Sequence, residues 1–309
     1  SKNCIRVGQD NETPTPFYNY AVLSSSSYEH YLKYLHKSKK QTEQFKQACV
    51  LGKLWLSQRG FSSNMSHSAA LGGFGNFEFA TLMAALLNGG GVNGNRILLH
   101  GFSSYQLFKG VIKYLATMDL CTEGHLQFYS DYNSNSSSTV TTSKYVSQGF
   151  QPPTIFDKTT KVNILSKMSV SSYQVLKLYA QESLLMLNDV VKDQFDNMFL
   201  TNLNKLKTVK YDACYDLDIP SIKLLLSQFG PVEKITFISF ENFICNKVSN
   251  IVKLALEDRI KAFEVALVNN KSSFPITKRK ISAVPNFTSI NIKLLINPAE
   301  CEKLVTKGP

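Results

Sequence analysis

Residues 130–147 read SDYNSNSSSTVTTSKYVS, a run of Ser, Thr and Asn with almost nothing to bury. Such a tract cannot remove enough apolar area from water to offset the entropy lost on ordering it. It reads as a Ser/Thr/Asn-rich linker or loop at 126–150 and as a domain boundary. A first unit then occupies 1–125, and Gln151-Pro152-Pro153 opens a new one.

The first unit is predicted to be helical. Ser26 with Glu29 has the capping-box spacing, in which a hydroxyl and a carboxylate three residues on satisfy free N–H groups reciprocally. A helix is expected over 28–36, and another over 42–58 that stops at Gly60. Gly72-Gly73-Phe74-Gly75 leads to Asn76 as a cap and a helix over 77–87, closed by Asn88-Gly89-Gly90-Gly91. Ser103 with Gln106 is a second capping box, before a helix over 105–118. Trp55, Phe45 and Phe61 are expected in the core.

Beyond the tract, 172–187 is amphipathic, with Leu176, Ala180, Leu184 and Leu187 on one face. Phe195, Phe199 and Leu203 continue the stripe, and Gly230-Pro231 closes a second helical unit at 151–235. Val232 to Phe274 has no Gly or Pro, and 239–268 is expected as one helix. Ile290, Ile292, Leu294 and Ile296 alternate, which predicts a strand over 289–297. Asn297, Pro298 and Glu300 then have the spacing of a final helix start.

The chain has 309 residues, 43% of them hydrophobic, so a disordered or collagen-like chain is excluded. No apolar run approaches the ~18–20 residues of a membrane span. Six cysteines, all 31 residues or more apart, have no C-x-x-C and read as reduced core residues. The net charge of +11 favours polyanionic partners. The excess sits at the ends, +6 over 1–120 and +5 over 236–309. Lys37, Lys39 and Lys40, and Lys278, Arg279 and Lys280, are the basic clusters and the candidate RNA-binding residues. The start, Ser-Lys-Asn-Cys, reads as a cut edge.

Little here points to catalysis. Gly72-Gly73-x-Gly75 could cradle a phosphate, but no Lys-Ser/Thr follows, and a tight turn for close helix packing is the plainer reading. Asp216-Leu217-Asp218 could hold divalent ions, yet the chain contains no Gly-Ser dipeptide of the kind a nucleotidyltransferase needs. Neither Gly-Phe-Ser, at 60–62 and 101–103, extends to a nucleophile elbow. The five His have no metal spacing, and His30 and His36 read as surface residues. No cofactor and no metal is expected.

A series of segments, in order, resembles one family. They are Thr15-Pro16-Phe17-Tyr18-Asn19, FKQACVLGKLWLSQRG at 45–60, GFGNFEFATLMAALLNGGG at 73–91 and GFSSYQLFKGVIKYLA at 101–116. VNILSKMSVSSYQVLKLYAQESLLMLND, DQFDNMFL, LEDRI at 256–260 and INPAECEKLVTKGP at 296–309 follow. The family is that of the nucleolar RNA-associated proteins, Nrap, components of the small-subunit processome.

The resemblance implies a mainly α fold. Residues 1–125 would be a helical domain like that of poly(A) polymerase and oligoadenylate synthetase, and 151–235 a family-specific helical domain. Residues 236–309 would be the opening α/β elements of an incomplete nucleotidyltransferase-like palm, with the rest of both palms outside this chain. It also implies a non-catalytic scaffold for pre-18S rRNA processing in the nucleolus. Partners would be pre-rRNA, other processome proteins and a casein kinase-containing complex, with no membrane. The alternative is a template-independent nucleotidyltransferase or its regulatory subunit.

Overall fold

The computed structural model describes residues 16–62, 72–89, 95–121, 126–131, 153–200, 211–218, 240–269 and 287–302. Among them the fold is mainly helical. Helices α1 (Pro16–Ser26), α2 (Tyr28–Gln41), α3 (Phe45–Gln58), α4 (Asn76–Leu87) and α5 (Ser104–Thr117) precede the Ser-rich tract. Helix α6 (Val170–Asn188) and a π-helical turn, Asp196–Leu200, follow it. Strands β1 (Leu126–Phe128), β2 (Ile155–Asp157) and β3 (Val162–Asn163) form a small sheet in that order, β1 and β2 parallel.

α4 sits at the centre. Every residue from Glu78 to Leu87 is buried, as expected of a helix apolar on all sides. Its first residue is Asn76, one position before the expected start, because Gly75 takes the extended cap conformation. The Glu78 carboxylate accepts from the Gly75 N–H at 2.8 Å. α3 reaches α4 closely because Gly52 has no side chain: a Cβ there would lie 2.3 Å from the Phe79 ring.

The second capping box forms as expected. Ser103 Oγ accepts from the Gln106 N–H at 3.3 Å, and Gln106 Oε1 accepts from the Ser103 N–H at 2.9 Å. The first does not. α1 runs through Ser26, whose hydroxyl donates to Leu23 O, and the Ser27 N–H bonds Leu23 O. The chain is thus already helical where a cap was expected, and Glu29 pairs with Lys33 instead, at 2.7 Å.

The elements on the two sides of the tract share one core, although residues 132–147 lie outside the described residues. α6 packs on α5, and its buried Leu176, Ala180 and Leu187 join the cluster that holds Trp55, Phe79 and Phe108. Trp55 Nε1 donates to Ser183 Oγ at 2.8 Å. Tyr173 OH accepts from the Leu120 N–H at 2.9 Å and donates to Met118 O at 3.0 Å.

The expected helix over 239–268 is two elements. α7 (Phe240–Leu256) ends in a tight turn at Glu257–Arg259, with Glu257 at φ +43°, and strand β5 (Ile260–Asn269) follows. Phe263, Val265 and Leu267 are buried with a period of two, the signature of a half-buried strand. The lack of Gly and Pro hid a change of period. β5 pairs antiparallel with β6 (Phe287–Ile296), the expected strand, and β6 with β4 (Ala213–Asp218), giving the order β4-β6-β5. Ile244 and Val248 of α7 cover one face, packing with Phe263, Val265, Leu267, Ile290 and Ile292. α6 abuts β5, where Ala262 enters the large helical core.

Candidate nucleic-acid interface

Lys37, Lys39 and Lys40 lie on the solvent side of the last turns of α2, whose opposite face buries Tyr31, Tyr34 and Ser38. Cations there complement the negative end of the helix dipole. The chain then turns at 42–44 and starts α3, whose first turn exposes Lys46.

Thr42 Oγ1 lies 2.7 Å from His100 Nδ1, which fastens the segment 95–100 beside this turn. Asn88 holds the same corner, donating to Ser38 Oγ at 3.2 Å and to Ala84 O at 2.7 Å. The segment brings exposed Arg96. Burial, and then the Arg96 charge, hold the His100 imidazole below its ordinary pKa. Segments 37–46 and 95–100 therefore put Lys37, Lys39, Lys40, Lys46 and Arg96 against one carboxylate, Glu43. Exposed cations from separate segments suit a phosphate backbone, whose contacts carry position and salt dependence rather than sequence. Lys46, Arg96 and His100 were not singled out from the sequence; Arg96 is an isolated cation there, and only the fold makes it a neighbour. Lys278, Arg279 and Lys280 lie outside the described residues.

The glycine loop is a packing device. Gly73 has φ +79°, and a Cβ on it would fall 2.5 Å from the Met168 backbone. Its amides are occupied on both sides: the Gly72 N–H donates to Ser172 Oγ at 3.1 Å, and the Gly75 N–H to Glu78. Ser172 Oγ in turn donates to Gly72 O at 2.9 Å.

Asp216 and Asp218 project from β4 into solvent, on one face of the strand. Asp216 Oδ1 accepts from Asn291 Nδ2 at 2.9 Å. Among the described residues no group of three His, Cys, Asp or Glu could hold a metal ion.

Two buried polar centres escaped the sequence. Asp157, wholly buried, accepts from Ser130 Oγ (2.6 Å), Thr160 Oγ1 (2.7 Å), the Thr159 N–H (3.0 Å), Tyr31 OH (3.0 Å) and the Ser130 N–H (3.2 Å). It thereby ties α2 to both sides of the Ser-rich tract. His30, expected on the surface, is half-buried, its Nε2 2.6 Å from Ser130 Oγ; His36 is exposed. Arg59, also buried, donates through Nη1 to Trp55 O and Met198 O, both at 3.1 Å, and through Nη2 to Ser183 Oγ at 3.3 Å. Its guanidinium lies 4.8 Å from the centre of the Trp55 ring, and burial pulls its pKa down to about 10. Asp157 is saturated with internal partners, and Arg59 commits both its terminal nitrogens to internal acceptors, its Nε having no hydrogen-bond partner among the described residues; both centres position segments.

The chain is similar to known proteins along its length. The family model of the Nrap protein PAP/OAS-like domain matches residues 44–202, Nrap protein domain 3 matches 207–309, and Nrap protein domain 1 matches 1–41. U3 small nucleolar RNA-associated protein 22 of Saccharomyces cerevisiae is 59% identical over 324 residues, covering 100% of this chain and 26% of the relative. Its namesake in Schizosaccharomyces pombe is 28% identical, with the same coverage. Nucleolar protein 6 of Homo sapiens is 26% identical over 190 residues, covering 62% of this chain and 15% of the relative. The chain spans about a quarter of the length of the two yeast relatives.

Proposed function

The chain belongs to the Nrap family, and on that premise we propose that it is part of a non-catalytic scaffold in ribosome biogenesis, acting in the nucleolus on pre-18S rRNA within the small-subunit processome. What carries the reading is the match over the whole chain to relatives named for association with U3 small nucleolar RNA. Its partners on this reading are pre-rRNA, other processome proteins and a casein kinase-containing complex. No helix among the described residues is long and apolar enough to cross a membrane.

The convergence of Lys37, Lys39, Lys40, Lys46 and Arg96 supports a phosphate-directed contact with RNA, and Lys278, Arg279 and Lys280 belong to the same proposal. The domain division is also part of this reading: helical units at 1–125 and 151–235, whose described helices share one core, then the opening of a nucleotidyltransferase-like palm at 236–309, to whose sheet β4 of the second unit adds a strand. α7 followed by β5 and β6 is consistent with such an opening.

The similarity to a PAP/OAS-like domain favours a second reading, a template-independent nucleotidyltransferase or its regulatory subunit. Likeness of fold does not supply the site. The chain lacks a Gly-Ser dipeptide, and Asp216 is engaged by Asn291 at a solvent-facing strand. Incubation with labelled nucleoside triphosphates, Mg²⁺ or Mn²⁺ and an RNA primer tests the choice. No extension is expected. Extension that disappears in Asp216→Ala/Asp218→Ala would overturn the scaffold reading.

A further inference from the structure

Just past α6 the chain displays two valines that the packing of the core does not use. Val190 and Val191 are 97% and 91% exposed. The turn carrying them is held from within. Asp189 Oδ1 accepts from the N–H groups of Val191 (2.9 Å) and Lys192 (3.1 Å), and Oδ2 accepts from Gln194 Nε2 (2.9 Å). Asp193 Oδ1 accepts from the Phe195 N–H at 3.0 Å. The bonds to Asp189, that from Gln194 foremost, hold its carboxyl below the usual carboxylate range.

The turn is seated on the core. Lys109 Nζ donates to Leu187 O at 3.0 Å, pinning the last turn of α6 to α5. The half-exposed Phe195 ring lies 5.0 Å from Phe199, which lies 5.2 Å from Phe108 in the core. Tyr105, exposed in the first turn of α5, is close enough to Asp193 for that carboxylate to add to burial in raising its pKa. An apolar tip fixed in this way loses little entropy on docking, which is what makes an anchor side chain effective.

Charge selects the partner. Residues 189–196 hold Asp189, Asp193 and Asp196 against one cation, Lys192, in a chain of net charge +11. An acidic tip repels phosphate, and two copies of it repel each other. The surface it complements is apolar at its centre and basic at its rim. We propose that the Val190–Val191 turn is a docking plug for an apolar, Lys/Arg-rimmed socket on another protein of the same assembly. The proposal rests on the scaffold reading only for the existence of that assembly.

A photo-crosslinking amino acid in place of Val191, in the full-length parent within purified pre-ribosomal particles, tests it. The expected product joins position 191 to a protein peptide in which Lys or Arg flanks apolar residues. Crosslinks to RNA, to a second copy or to an acidic peptide would overturn the proposal, as would no crosslink from a parent that is present in the particle. Val190→Asp/Val191→Asp should lower recruitment at least tenfold while leaving the melting temperature unchanged, since both side chains already stand in water. Recruitment of that variant at the wild-type level would also overturn it. Absence of the unaltered parent from such particles would overturn the scaffold reading itself, and this inference with it.

Discussion

The helical core and the β4-β6-β5 sheet handle polar groups in opposite ways. In the helical core Asp157 and Arg59 are buried and hydrogen-bonded, and their bonds join segments far apart in sequence: Tyr31 to Asp157, Arg59 to Met198. In the sheet Asp216 and Asp218 face solvent on an edge of the described strands, and the apolar cluster beneath α7 is small. Buried, hydrogen-bonded polar groups fix one arrangement of a core. The helical region is therefore a platform, and its two contrasting surfaces are held by separate bonds, the basic corner by Thr42–His100 and the acidic tip by Lys109–Leu187.

Trp55→Ala should break this contrast most severely. It removes a fully buried ring, the N–H that Ser183 Oγ accepts and the ring face beside the Arg59 guanidinium; a loss of roughly 3–5 kcal/mol is expected, measured by urea unfolding. A loss under about 1 kcal/mol would mean that the helical core is not the stabilising platform. Gly73→Ala should come next, at roughly 1–3 kcal/mol, because its Cβ would meet the Met168 backbone rather than a side chain that can turn away. Ser103→Ala should cost about 1 kcal/mol through removal of the cap, and Ser26→Ala only a few tenths, since Ser26 caps nothing. Equal effects from the two serines would contradict the structure at α2.

Thiol chemistry sharpens the same comparison without altering stability. Burial pushes the Cys49 and Cys121 thiols up to about 12, whereas Cys214 and Cys301 are exposed. At pH 8 the thiolate fraction of this half-buried pair would be far below that of an ordinary thiol. Iodoacetamide in native buffer, followed by peptide mass mapping, should modify Cys214 and Cys301 well before Cys49 and Cys121. The reverse order would place the packed side of the molecule elsewhere.

What could be read from the sequence was local. The Ser103–Gln106 cap, the amphipathic face of α6 and the alternation of β6 each declare themselves within a few residues, and each is present. The ordered run of segments also sufficed to point to the family. What could not be read depends on contacts across the chain. Ser26–Glu29 has the spacing of a cap but sits where α1 is still helical. The stretch 239–268 has no breaker, so its switch from helical to strand period at Leu256 was missed. At the basic corner Lys37, Lys39 and Lys40 stood out as a run, but Arg96 joins them only through the bond between Thr42 and His100. That Val190 and Val191 stand in water is likewise visible only in the fold.

The claim that this platform meets RNA through its phosphates at the basic corner is tested most directly by binding isotherms against a structured RNA at two salt concentrations. The wild-type chain should bind weakly at low salt and lose affinity steeply as salt rises. Neutralising Lys39, Lys40, Lys46 and Arg96 together to Gln should flatten the log–log salt slope by roughly one unit per phosphate that the variant no longer neutralises. An unchanged slope in that variant, or no measurable binding by the wild type even at low salt, would contradict the account.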